Sequence, residues 1–152
     1  MKATAIDVLL VEDNPGDVRL TQEAFREANE AIRLHVTRDG EEAIAFLRHQ
    51  GKYAQAHAPR PHIILLDLNL PKMNGHEFLA LLKGDESLKM IPVVILTSSD
   101  AEADIVKSYE LHANAYLKKP VTLEEFVALV RSINDFWLTK VKLPNKTGGG
   151  RF

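Results

Sequence analysis

The chain has 152 residues, 45% of them hydrophobic and 26% charged, enough for one globular domain to bury a core. It contains no cysteine, which excludes disulfides and thiolate metal sites, and neither an apolar run long enough to span a bilayer nor a signal-peptide start, so a cytoplasmic protein without a membrane partner is expected. A net charge of -2 offers no overall attraction to nucleic acid, despite the locally basic stretch from Lys140 to Arg151, and no nucleic-acid partner is expected.

Along the chain, short β-rich runs alternate with amphipathic stretches five times. The first strand is IDVLLV, Ile6 to Val11. A helix follows, with Asn14 as its cap, Pro15 at the first helical position, and Val18, Thr21, Phe25 and Ala28 on one face. In the second strand, IRLHVT, Ile32, Leu34 and Val36 alternate with polar neighbours, as at a sheet edge with one solvated face. A helix from about Gly40 to Gln50 turns Ile44 and Leu47 inward, and Gly51 to Pro61 reads as a loop. The third strand runs IILL into Asp67, the fourth is PVVILTSS and the fifth AYLKK. The third and fourth are apolar on both faces, as central parallel strands are when helices cover both sides. SDAE, Ser99 to Glu102, and TLEE, Thr122 to Glu125, match the S/T-x-x-E capping box and are expected to start the fourth and fifth helices. The order predicts an α/β fold, a flavodoxin-like doubly wound parallel sheet of order 2-1-3-4-5, with a Rossmann order as the alternative.

In that order the first and third strands are neighbours, and a crevice opens at their carboxyl ends. Glu12 and Asp13 end the first strand, Asp67 the third, Thr97 the fourth and Lys119 the fifth, so all five side chains are expected at one rim. Singly, each reads as a turn former, a cap or a solvated charge; together they describe a site. Three carboxylates in close approach need a cation, and hard oxygen ligands without cysteine or suitably spaced histidine select Mg²⁺, or Mn²⁺, over Zn²⁺. An ammonium and a hydroxyl opposite them suit a tetrahedral oxyanion such as phosphate, and a carboxylate in that setting can be the nucleophile that forms an acyl phosphate. On this reading Asp67 is the acceptor.

The motifs VEDN, DLNLPKMNG, LTSSD and AYLKKP, in this order, resemble the receiver domain of two-component response regulators over roughly Ile6 to Asp135. The resemblance implies Asp67 as phosphoacceptor, with Glu12, Asp13, Asp67 and the backbone carbonyl of Asn69 around Mg²⁺. It implies Thr97 and Lys119 as phosphate-binding groups, Thr97 and Tyr116 as switch residues, and a cis Lys119–Pro120 bond. Lys118 competes with Lys119, which is preferred because the family's lysine directly precedes the proline. The resemblance further implies a partner histidine kinase. The Gly51 to Pro61 loop and the ending DFWLTKVKLP are similar to regulators paired with cyanobacterial phytochrome kinases. The chain resembles a single-domain regulator, with a receiver over residues 1–139 and a flexible tail over 140–152. It is not expected to be an enzyme beyond self-catalysed phosphorylation and dephosphorylation of Asp67.

An Mg-dependent aspartyl-phosphate phosphatase is the alternative, but that chemistry needs a second aspartate two residues after the nucleophile, where this chain has Asn69. A flavodoxin would need phosphate donors in the first loop, where EDNPGD places acids. The six histidines lack metal-motif spacing and are read as structural, with His76 and His112 on helices. Phe136 and Trp137 are adjacent, so both rings cannot lie on one helical face, and they are expected at a homodimer interface.

Overall fold

A computed structural model describes residues 6–28, 32–55 and 57–135. Strands Ile6–Val11 (β1), Ile32–Thr37 (β2), Ile63–Leu66 (β3), Val93–Thr97 (β4) and Ala115–Lys118 (β5) alternate with helices Pro15–Ala28 (α1), Gly40–Arg48 (α2), Gly75–Lys83 (α3), Glu102–Glu110 (α4) and Leu123–Ile133 (α5). The sheet is parallel, in the order β2-β1-β3-β4-β5. This is the doubly wound, flavodoxin-like arrangement expected from the pattern of elements. Phe136 and Trp137 and the expected tail over 140–152 lie outside the described residues. Among the described residues, no helix is long and apolar enough to cross a membrane.

Side chains that alternate along the central strands divide the core into two layers. Leu9, Val11, Ile64, Leu66, Val93 and Ile95 face Phe46, Phe78, Leu79 and Leu82 on the α2 and α3 side. Val8, Leu10, Ile63, Leu65, Val94 and Leu96 face Val18, Phe25, Phe126 and Val130 on the α1 and α5 side. The strand register then sets the site: Val11 pairs with Leu66, Leu66 with Ile95, and Thr97 with Lys118, so the residues just beyond these pairs emerge along one edge.

Local signals account for most helix starts. Asn14 Oδ1 accepts from Asp17 N, as its capping role predicts. Thr122 Oγ1 accepts from Glu125 N, but the Glu125 carboxylate receives the Val121 amide, so only half of that capping box forms. SDAE does not cap α4. Ala101 holds the N-cap position without a side-chain bond, because Ser99 lies too far upstream and its hydroxyl donates to Asp104 Oδ2. A full reciprocal box forms instead at Asn74 and Glu77, opening α3.

Three further expectations need correction. The polar face of β2 is not simply solvated: Arg33 Nε and Nη2 donate to the two carboxylate oxygens of the fully buried Asp7, and His35 Nε2 lies 3.0 Å from Oδ1. The strand's polar residues neutralise a charge that would otherwise be costly in the sheet. His112 is not helical; it follows α4 with a φ of 71°, in the left-handed region. The Lys119–Pro120 bond is trans, and no cis peptide occurs among the described residues; a proline bond differs little in energy between the two forms, so sequence is a weak guide to it.

Gly75 brings α3 against the end of β3. A Cβ at this position would sit 2.5 Å from Leu68 Cα and 2.7 Å from the Asp67 carbonyl oxygen, and neither backbone atom can move aside. Gly75→Ala should therefore cost about 2 kcal/mol or more in urea unfolding by overpacking. Gly51→Ala, with no neighbour within 4 Å but a φ of +57°, should show only the smaller cost of a left-handed alanine.

Candidate functional site

The rim is built around Lys119. Its Nζ donates to Glu12 Oε1 at 2.7 Å, to Asp17 Oδ2 at 2.9 Å and to Asp67 Oδ2 at 3.1 Å. An ammonium has three protons, and these three acceptors use all of them. The side chains of Lys119, Glu12 and Asp67 are only 7%, 3% and 6% exposed, so the cluster lies largely out of water. The Lys119 backbone is fixed as well, its amide donating to the Thr97 carbonyl at 2.7 Å. Of the two lysines in KKP, Lys118 instead points to Asp100 in an exposed pair.

Each carboxylate is oriented by the local backbone. The amide of Asn14 donates to Glu12 Oε2, and the amide of Asn69 donates to Asp67 Oδ1. Both contacts span two residues, the reach of an acidic side chain folding back on the turn that follows its strand. Burial pushes the Glu12 carboxyl up to about 7, and the Asp67 charge adds to the rise while the Lys119 bond opposes it. Burial alone would lower Lys119, but its bonds to Asp17 and Glu12 outweigh this and raise it above the ordinary lysine value.

Thr97 is fully buried at the end of β4, and its Oγ1 is a buried side-chain polar atom with no hydrogen-bond partner among the described residues. Leaving such a hydroxyl unpaired costs roughly 1–3 kcal/mol, so it marks a place where an acceptor is missing. Tyr116 is half-buried on β5, and its hydroxyl donates to the Ser99 carbonyl at 2.8 Å. Asp13 and Asn69 are exposed at the same edge. The structure thus gathers Glu12, Asp67 and Lys119 into direct contact and puts Asp13, Asn69, Thr97 and Tyr116 on the elements around them.

Among the described residues, no three acidic or histidine side chains are arranged as a ready metal cage. The donors nevertheless fit a hard divalent cation: Glu12 and Asp67 offer buried carboxylate oxygens whose charge the single ammonium offsets only in part, and the exposed Asp13 directly follows Glu12. Sequence reasoning missed Asp17. An acid in the first turn of a helix reads as a complement to the helix dipole, which hides its contact with a lysine 102 residues away.

The family model of the response regulator receiver domain matches residues 8–131. The chain belongs to that family. It is 49% identical over 137 residues to response regulator Rcp1 of Synechocystis sp., covering 90% of this chain and 92% of Rcp1. It is 40% identical to the probable methanogenesis regulatory protein FilR2 of Methanothrix harundinacea, covering 86% of this chain and 83% of that protein. Among solved structures, the Mn(2+)-bound form of Rcp1 superposes with a TM-score of 0.81 at 48% identity, over 92% of this chain and 99% of Rcp1. The phosphorylated cyanobacterial phytochrome response regulator RcpA superposes with a TM-score of 0.85 at 46% identity, over 93% and 100%. The receiver domain is therefore related to phytochrome response regulators.

The raised Glu12 carboxyl carries a pH signature. Its value moves from 4.5 to about 7 on folding, so between those limits the folded receiver binds more protons than the unfolded chain, and stability falls as pH rises through this window. Without divalent metal, urea unfolding at pH 8 should give a stability lower than at pH 5 by about 2 kcal/mol from this group. Glu12→Gln should flatten that slope.

Proposed function

We propose that this receiver takes a phosphoryl group from a partner histidine kinase, of the phytochrome type, onto Asp67. The observation that carries the reading is the bond between the buried Asp67 carboxylate and the Lys119 ammonium, at the strand edge where β4 ends on the buried, unpaired Thr97 hydroxyl. One group is a nucleophile; the other two are donors suited to phosphoryl oxygens.

In the step proposed, an Asp67 carboxylate oxygen attacks phosphorus, the bond from phosphorus to the donor's imidazole nitrogen breaks, and an acyl phosphate forms as the imidazole leaves and takes up a proton. Glu12, Asp13, Asp67 and the Asn69 carbonyl would hold Mg²⁺ or Mn²⁺, which supplies positive charge to the phosphoryl oxygens when bound. Lys119 shifts a proton donor from the carboxylates to the phosphoryl group. The Thr97 hydroxyl gains the acceptor it lacks.

The output proposed is a switch at α4, β5 and α5. α4 buries only Ser108, whereas Val106 and Tyr109 are 45% and 49% exposed, so little packing opposes its movement. Inward movement of Thr97 frees space for Tyr116 to leave Ser99 and turn in, which releases the loop in front of α4.

Labelling with acetyl phosphate, followed by Phos-tag electrophoresis, tests the acceptor. The wild type should be labelled only with Mg²⁺ or Mn²⁺ present, and Asp67→Asn should stay unlabelled. Thr97→Ala should accept label but lose most of the phosphorylation-linked change in partner binding. Alkali-stable label on Asp67→Asn would refute the reading.

A homodimer through the same face is also proposed, with Phe136 and Trp137 contributing buried aromatic area worth about 2 kcal/mol per protomer. Sedimentation velocity across a concentration series should show a dimer that Trp137→Ala weakens by more than about tenfold. A monomer at every concentration, with and without beryllofluoride, would exclude it.

A further inference from the structure

The three acceptors of Lys119 are not equivalent. Glu12 and Asp67 are buried at strand ends and belong to the metal and acceptor set of the proposed function, whereas Asp17 stands on the first turn of α1 with its side chain one-third exposed at 33%. A divalent cation held by Glu12 and Asp67 would compete with the ammonium for their oxygens, and a phosphoryl group would compete with them for its protons. Asp17 is the acceptor that remains.

We infer that Asp17 is a positioning residue for Lys119, retaining its ammonium at the rim while Glu12 and Asp67 are released to a divalent cation. The inference rests on the phosphoacceptor reading of the site. It follows from the hydrogen-bond count: one ammonium with three protons is shared among three carboxylates on α1, β1 and β3 ends, and only one of these is outside the set that metal would occupy. The geometry of Asp17 suits the task. Its own amide is held by the Asn14 cap, and its carbonyl accepts the Thr21 hydroxyl at 2.7 Å, so the first turn of α1 is rigid where the carboxylate projects. Without that carboxylate the ammonium would settle fully on Glu12 and Asp67 and compete with the incoming cation. That competition weakens metal binding.

The test is calorimetric Mg²⁺ titration of the full chain without phosphodonor, with thermal melts of each variant as a check of folding. Asp17→Asn, which keeps the size of the side chain, should bind Mg²⁺ about five- to tenfold more weakly than wild type, while Asp17→Glu, which keeps the charge on a chain one methylene longer, should stay within about twofold. In a Lys119→Met background, Asp17→Asn should change the affinity by less than about twofold, because there is no ammonium left to retain. An unchanged affinity in Asp17→Asn, an equal loss in the Lys119→Met background, or a loss in Asp17→Glu as large as in Asp17→Asn would each overturn the assignment of Asp17 alone. A wild-type chain that binds no Mg²⁺ and takes no label from acetyl phosphate would overturn the phosphoacceptor reading together with it.

Discussion

The sharing of one ammonium among Glu12, Asp17 and Asp67 is the constraint on which the rim depends. Two of these carboxylates are nearly dry, and burying them charged without a partner would cost several kcal/mol each or force protonation. Lys119 removes that penalty, but only in part, since Glu12 still sits near 7. A buried ion cluster of this kind adds little net stability compared with an apolar core, so its presence is better explained by chemistry than by folding. One positive charge offsets only part of the negative charge of three carboxylates, and every proton of the lysine is already used, so the cluster keeps an excess of negative charge that suits a further cation.

The sheet makes this arrangement reproducible. Parallel strands covered on both faces are apolar along most of their length, so, apart from Asp7 with its Arg33 partner, the charged groups of the central strands stand at their ends, and the register brings the ends of β1, β3, β4 and β5 to one edge. Asp67 can follow four buried residues of β3 because the next peptide group already turns, with the Asn69 amide bonded to its carboxylate and Gly75 packed against its carbonyl. Backbone geometry, and not the lysine alone, aims the proposed nucleophile.

Much of this was legible in the sequence, for an identifiable reason. Strand order and the positions of Glu12, Asp67 and Thr97 follow from short apolar runs alternating with amphipathic helices and from the residues that terminate those runs, patterns that survive without knowledge of packing. The preference for Lys119 over Lys118 rests instead on the family's lysine preceding a proline. The features that sequence did not reveal depend on three-dimensional partners. Asp7 lies in an apolar strand and Arg33 in an alternating one, and nothing local says that they pair across β1 and β2. Asp17 reads as a helix-start acid and Ser99 as a cap, but each is diverted by a partner brought close in the fold: Lys119 for the first, Asp104 for the second. The capping box of Asn74 and Glu77 is local, by contrast, and its N-x-x-E spacing stands in the sequence from the end of DLNLPKMNG into α3.

The same logic of diverted partners bears on how a change at Asp67 could reach the surface. Ser99 is the common member of two contacts: its carbonyl accepts the Tyr116 phenol and its hydroxyl donates to Asp104 in the first turn of α4. α4 is joined on its other side to α3, where His76 Nε2 lies 3.0 Å from the buried Ser108 hydroxyl, itself a donor to the Asp104 carbonyl. With only Ser108 buried, α4 is held more by these polar bonds than by apolar packing. Each bond of this kind contributes on the order of 1 kcal/mol net, whereas inverting a strongly biased two-state equilibrium takes about 5 kcal/mol of differential binding. A single lost tyrosine bond is too small for that. A phosphoryl group that recruits Lys119 and satisfies the Thr97 hydroxyl draws on charge-assisted bonds each about twice as strong, and on several of them at once, so in the proposed switch the energy would originate at the rim and the Tyr116 to Asp104 chain would select the part of the surface that responds.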